Sequence, residues 1–319
     1  MRELLVGNAP CSWGTLEHQD QSQSIPFNQM LDELVETGYT GTELGDWGYM
    51  PTDALRLSEE LARRGVVMLG AYVPVAMKNP ATHAAGVVTA VRTAKLLAAV
   101  ATTQAPYLVL ADDAGTDPAR TKLAGRITAK DGLTKDEWKT FASGADQIAH
   151  AVFDETGLRT VFHHHCAGYV ETPDEIATLL DLTSPDRLGL VFDAGHYVHG
   201  TGGEDGDVIP ALNRFKERIW YIHLKDLEPH VARRSREEEW DYFTAMRNGL
   251  YPRAGKRVPS TSLPLLRWLA AQDYKGYALV EQDILPGMER PRKVRARSRE
   301  YLRSIEANFT GRQLQAASF

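Results

Sequence analysis

The chain has 319 residues and a formal charge of -6, with 43% hydrophobic and 24% charged residues, the composition of a globular protein able to bury a full core. An acidic balance argues against a general affinity for nucleic-acid backbone or an anionic membrane surface, because both reward clustered positive charge. The only two cysteines, Cys11 and Cys166, stand far apart and in no paired motif, so neither a disulfide framework nor a thiolate zinc site is expected, and a reducing cytoplasm fits.

The opening MRELLVGNAP lacks a basic segment followed by a long apolar run, so no signal peptide is expected. Nor is any stretch expected to reach the roughly 20 apolar residues of a membrane helix. Short apolar runs and helical patterns then alternate along the chain. Residues 4–8 read as a strand leading into GNAPCSWG, and residues 26–37 as a helix stopped by Gly38. A second strand over 41–44 carries Glu43, and the helix over 52–64 stops at Gly65. Strand 66–72 precedes helix 83–99; strand 107–111 precedes a long segment, 112–133, and a helix over 134–155 closed by Gly157. The fifth strand, 159–163, runs into His163, His164 and His165 before helix 172–182. The sixth, 188–193, stops on Asp193, with Ala194, Gly195 and His196 next and a helix at 208–215. The seventh, 219–223, delivers His223, then Lys225 and Asp226; a second long segment, 229–259, separates it from helix 260–271. The eighth, 278–281, delivers Glu281, with Asp283 two further on and helix 292–305 behind.

Eight strand–helix units without a hairpin predict an α/β fold of one domain, a closed parallel (β/α)8 TIM barrel over residues 1–308, with a loosely ordered tail at 309–319. GNAPCSWG is not the glycine-rich phosphate turn that a doubly wound sheet would need after its first strand. The segments 112–133 and 229–259 have the length of lids or binding loops.

Barrel enzymes work at the C-terminal ends of their strands, and there each apolar run stops on an ionisable side chain. Carboxylates with imidazoles form a ligand set for one divalent ion, Mn, Co, Fe, Zn or Mg, with Mn or Co favoured and thiolates absent. Asp193, His223 and Glu281 come from adjacent strands and are expected to converge; His163 is the candidate for a fourth ligand. The alternative for each is a rim hydrogen bond or a helix cap. His164 alternates to the other side of its strand and packs outward. His165, His196 and Lys225 are the candidate acids and bases. Lys225 is alternatively a buried salt bridge to a rim carboxylate such as Glu43 or Asp226. Asn8, Trp13 and Glu43 stand at the ends of strands one and two, where a substrate's polar groups would lie, Trp13 either stacking on a ring or simply packing. Glu171 either reaches the pocket or belongs to the helix start at Thr172. Cys166 is read as pocket wall, and the run of arginines and glutamates over 233–239 as a solvated helix face.

The segments GNAPCSWG, GTELG, HHHCAGYVET, VFDAGH, HLKD and LVEQD, in that order, resemble the xylose-isomerase-like barrel superfamily of sugar isomerases, epimerases and inosose dehydratases over nearly the whole chain. The opening GNAPCSWG, the triple histidine and the order of the last three segments resemble its inosose dehydratase branch. The resemblance implies a metal held by Glu on strand five, Asp on six, His on seven and Glu on eight. The last three fall on Asp193, His223 and Glu281, whereas strand five offers His163. Dehydratase-like sequences carry a segment like LGEG before helix eight; here stand Arg253, Ala254, Gly255, Lys256 and Arg257, so Arg257 becomes a candidate substrate contact.

What this implies is a metal-dependent lyase dehydrating an inosose or related keto-sugar by α-proton abstraction and β-elimination. The alternatives are a ketose isomerase or epimerase working through an enediolate, or a lyase on 3-keto-glycosides. The expected partner is a small polyol or keto-sugar; homo-oligomers are common among barrels. A DNA-repair endonuclease of this fold would need several zinc ions and a basic groove, against which the acidic balance and small ligand set both speak.

Overall fold

The computed structural model describes residues 5–14, 25–202, 208–252, 261–272, 274, 276–284 and 298–303. Its strands are β1 (Leu5–Asn8), β2 (Gly41–Glu43), β3 (Val67–Pro74), β4 (Tyr107–Ala111), β5 (Thr160–His163), β6 (Leu188–Asp193), β7 (Ile219–Leu224) and β8 (Tyr277–Val280). They pair in parallel, each with the next, and β1 closes on β8, so the predicted (β/α)8 barrel is the observed one. Register sets the rim: Asp193 of β6 pairs with His223 of β7, and Ala111 of β4 with His163 of β5.

The helices are α1 (Phe27–Glu36), α2 (Ala54–Ala62), α3 (His83–Val100), α4 (Pro118–Leu123), α5 (Lys135–Thr156), α6 (Pro173–Asp181), α7 (Ala194–Gly200), α8 (Val208–Phe215), α9 (Pro229–Glu237), α10 (Tyr242–Arg247) and α11 (Ser262–Ala271). Residues 298–303, also helical, are the described part of the helix expected at 292–305. The residues from 304 onward, with the expected tail, lie outside the described residues, as does Arg257. Two cores follow from the alternation of strand side chains. Leu69, Val109, Val161, Val191, Tyr221 and Leu279 fill the barrel, and a larger cluster joins the strands to the helices.

Local chemistry explains the helix ends. Thr134 and Glu137 form a capping box on α5, Thr172 and Glu175 another on α6, and Asp53 and Asp117 cap α2 and α4. One expectation needs correcting. The helix over Pro80–Val100 is long and apolar enough, by length and composition alone, to cross a membrane. It lies against the barrel wall, with Ala90, Ala94 and Leu97 fully buried. The two long segments contain helices: α4 in the one after β4, α9 and α10 in the one after β7. The short α7, unforeseen in the sequence, starts directly at the end of β6.

Candidate metal centre and active site

Strands β5 to β8 carry His163, Asp193, His223 and Glu281 to one point at the barrel mouth. One ligand atom from each lies within 4.8 Å of all the others. His163 Nε2 is 3.1 Å from His223 Nδ1, and 3.9 Å from both Asp193 Oδ2 and Glu281 Oε2; His223 Nδ1 is 3.3 Å from Glu281 Oε1. Metal–ligand bonds of about 2.1 Å need donor atoms roughly 3 to 3.5 Å apart, so the group fits one ion after small contractions. Asp193 adds an independent sign. Its Oδ1 accepts the His196 N–H at 2.9 Å, capping α7, while its buried Oδ2 has no hydrogen bond. A carboxylate oxygen left so in the interior is costly unless a cation or ligand meets it. Two imidazoles and two carboxylates suit Mn, Fe, Co or Zn.

The electrostatics of this group are those of crowded acids. Burial lowers the His223 pKa, but the carboxylates of Glu281 and Glu43 outweigh it and lift it to about 10; Glu43 Oε1 is 3.2 Å from His223 Nε2. Burial, joined by the Glu281 carboxylate, raises Asp193 to about 6 against the pull of Lys225 and His223. It would raise Glu281 too, yet His223 and Lys225 hold that carboxyl well below its usual range. His163 stays neutral, its pKa pushed well down by burial and by His223.

Lys225 occupies the neighbouring position. Its Nζ is 3.0 Å from Asp283 Oδ2, 3.2 Å from Glu281 Oε2 and 3.7 Å from Asp193 Oδ2. Burial works against its charge, and these three acids hold its pKa well above the ordinary lysine value. The alternative of a buried bridge to a rim carboxylate is therefore present in the fold, with other partners than Glu43 and Asp226: Asp226 Oδ1 instead accepts from the N–H and hydroxyl of Ser262 at the start of α11. Gly195 permits the closeness, since a Cβ there would fall 2.7 Å from Lys225 Cγ and 3.0 Å from its carbonyl oxygen.

His196 lies 3.0 Å from Lys225 Nζ through Nε2. The charged Lys225 ammonium can only donate, so Nε2 of the neutral ring accepts there, and the Cys166 N–H lies 3.3 Å from Nδ1 on the other side. Burial holds that ring neutral. His165 lies beside it, ring centroids 3.8 Å apart and planes tilted by 41°, and is partly exposed. The fold therefore gathers seven of the expected residues, His163, His165, Asp193, His196, His223, Lys225 and Glu281, with Glu43 behind His223. Cys166 is buried wall, as expected, and His164 packs outward against Phe192 and Tyr197, its Nε2 accepting the Asp193 N–H.

The remaining candidates sit differently. Asn8 is fully buried at the end of β1, and neither atom of its side-chain amide is hydrogen bonded. Trp13 is buried in the larger core with its indole N–H donating to Glu33, which is the packing alternative. Glu171 spends its carboxylate on loop amides, Oε1 accepting from Gly125 N–H at 2.7 Å and Oε2 from Ala167 N–H at 2.8 Å; burial pushes its pKa up to about 7 against these donors.

The sequence did not point to Tyr242 and Tyr251, which the segment after β7 folds back over the mouth. Tyr251 Oη is 3.1 Å from His196 Nδ1, and Tyr242 Oη 3.4 Å from His165 Nε2. Lys225 Nζ lies 5.1 Å from the Tyr251 ring centroid, a cation–π distance. The signal available was the aromatic content of a 31-residue segment, 229–259. Asp283, noted in the sequence without a role, is the acid nearest to Lys225.

The architecture matches known proteins closely enough to name its family. The family description "Xylose isomerase-like TIM barrel" matches residues 31–305. An inosose dehydratase from Geobacillus kaustophilus is 28% identical over 297 residues, covering 93% of each chain, and one from Lacticaseibacillus casei is 27% identical over 93% of this chain and 95% of its own. The crystal structure of a 3-keto-D-glucoside 4-epimerase from E. coli superposes with a TM-score of 0.65 at 15% identity, covering 95% of this chain and all of that one, a likeness of fold. The chain belongs to the xylose isomerase-like TIM barrel family.

Proposed function

We propose that this chain is a divalent-metal-dependent lyase that removes water from an inosose or a related keto-sugar, with Mn or Co as its metal. Within the family its relatives make it an enzyme of the dehydratase or isomerase/epimerase type. The observation that carries the reading is the meeting of His163, Asp193, His223 and Glu281 beside a charged Lys225 and two imidazoles. An ion held by those four residues would act as a Lewis acid toward the substrate carbonyl and stabilise the charge that grows on its oxygen.

The chain's own groups supply the proton movements. His165 Nε2, at the partly exposed side of the site, accepts the proton α to the carbonyl. The electron pair left on that carbon forms the C=C bond as the β-hydroxyl departs. Lys225, held protonated by Asp283 and Glu281, donates to that hydroxyl so that it leaves as water. His196 Nε2 accepts from the ammonium at 3.0 Å and orients it, and once water has left, the proton taken by His165 returns through solvent to Lys225, so the site resets with no net proton change. Each positioned acid or base contributes roughly 100- to 10,000-fold. The unpaired amide of Asn8 supports a polyhydroxylated substrate, since it offers one donor and one acceptor surface at the mouth. Cys11 and Cys166, neither joined to the other in a disulfide, fit a reducing cytoplasm. A second reading, epimerisation or isomerisation of a ketose, uses the same groups: an acid on Lys225 separate from a base on His165 is also what reprotonation on another face requires. Incubating Mn- or Co-loaded protein with scyllo-inosose and following the ultraviolet absorbance of the unsaturated diketone tests the lyase; a ketose panel resolved by chromatography tests the alternative. Absence of both activities in metal-loaded protein overturns the proposal.

A further inference from the structure

Two inserts crown the barrel, one after β4 and one after β7, and only the second brings hydroxyls, those of Tyr242 and Tyr251, to the histidines of the site. What fixes the second insert is a residue of the first. Arg126 donates through Nη1 to the carbonyls of Ser235 at 3.1 Å and Trp240 at 3.0 Å, and through Nη2 to Lys122 O. Those two carbonyls bracket the turn that joins α9 to α10. That turn holds Glu239 at φ 53, a left-handed conformation that a side chain other than glycine adopts only where its surroundings impose it. Asp241, the next residue after Trp240, caps α10, and Tyr242 is the first residue of that helix. The guanidinium thus spans a strained turn two residues from a side chain of the site.

The anchor is itself anchored. Gly125, just before Arg126, has φ 78, its N–H is bound by Glu171 Oε1 at 2.7 Å, and a Cβ there would fall 2.6 Å from the ring of His199, buried in α7. The Arg126 backbone is therefore wedged between the β5 loop and α7, both of which also carry residues of the site. Phe243 of α10 lies against Gly115 of the first insert, so the two segments meet along a common seam.

From this we infer that Arg126 is the positioning residue of the site: it seats the α9–α10 turn and so holds Tyr242 and Tyr251 over the substrate. The consequence for turnover rests on the proposed keto-sugar reading; the seating itself does not. The test uses the full-length protein as Arg126→Gln, Arg126→Lys and Gly125→Ala, the last keeping the guanidinium while displacing its backbone. Trypsin cleavage after the exposed Arg233 and Arg234 of α9, mapped by mass spectrometry, and hydrogen exchange over residues 242–251 report the seating without any substrate. Arg126→Gln and Gly125→Ala are expected to speed both by about 5-fold or more and Arg126→Lys by less, with melting temperatures close to the parent's for the two Arg126 variants and lowered for Gly125→Ala, whose Cβ meets the His199 ring. With scyllo-inosose, KM should rise about 10-fold in Arg126→Gln while kcat changes little, the pattern of lost binding rather than lost chemistry. Unchanged cleavage and exchange in Arg126→Gln overturn the inference, as does faster cleavage with an unaltered KM. Absence of turnover by every form, the parent included, counts against the keto-sugar reading and leaves the proteolysis and exchange results to decide the seating.

Discussion

Two buried clusters of charge lie in the same crown of loops, and they balance differently. In the first, Arg120 of α4 meets Glu175 of α6 through two parallel bonds of 2.9 and 3.0 Å, and its Nε donates to Gly168 O at 2.7 Å. Glu175 Oε2 also accepts from the N–H groups of Glu171 and Thr172. One cation meets one anion there, and their hydrogen-bonding capacity is used. In the second, at the strand ends, Glu43, Asp193, Glu281 and Asp283 surround one lysine and one histidine, with an oxygen of Asp193 and both amide atoms of Asn8 unbonded. Burial of charge alone therefore does not mark a functional site, since the first cluster is as buried as the second. Surplus of one sign, with a carboxylate oxygen of the converging group left without a hydrogen bond, does.

The contrast can be broken experimentally. If the second cluster serves chemistry, Glu281→Gln should lose bound metal and at least about 1,000-fold in kcat/KM, about 4 kcal/mol of barrier, while the melting temperature without metal is little altered. Metal analysis beside turnover decides it; retained metal with normal turnover would remove Glu281 from the site. If the first cluster serves the fold, Arg120→Ala should destabilise by about 3 kcal/mol, because it leaves Glu175 charged and unpaired in the interior. Denaturant titration measures this, and an unchanged midpoint would show the pair to be dispensable.

A smaller effect separates the clusters by pH. Burial raises the Glu171 pKa from 4.5 to about 7, so the fold prefers its protonated form. The stabilisation is complete below about 4.5 and is lost as pH rises through 7. Glu171→Gln cannot titrate, so the parent's advantage in melting temperature over this variant should be larger at pH 5 than at pH 8. A pH-independent difference would mean that Glu171 is ionised throughout. The smallest effect expected is that of Tyr251→Phe, which removes one hydroxyl from His196 Nδ1 and should cost a few-fold in turnover, with stability unchanged.

Much of this was legible in the sequence because a parallel barrel writes its rim at the point where each apolar run ends. Asp193, His223 and Glu281 follow VF, YI and LV in their strands, and alternation put Lys225 on the same side as His223. What stayed hidden depends on the return path of long segments. Arg120 and Glu175 are 55 residues apart, and no local pattern says that they meet. Tyr242 and Tyr251 lie in an insert whose fold is decided by Arg126, more than 100 residues away. The helix α7 was missed since AGHYVHG offers too few residues and too many glycines for a periodic signal. Lys225 drew its partners from Asp283 and Glu281 rather than Asp226, whose oxygen the start of α11 had claimed.

One feature of the centre bears on redesign. Asp193 serves two masters, one oxygen holding the His196 N–H of α7 and the other turned to the ligand group, so an exchange to Glu lengthens the reach for both and satisfies neither. His163 carries no such second duty: its Nδ1 is unbonded and it ends its strand without capping a helix. The strand-five position is therefore where the preference among metals can be retuned, by His163→Glu for harder ions, while the scaffold around Asp193 is left intact.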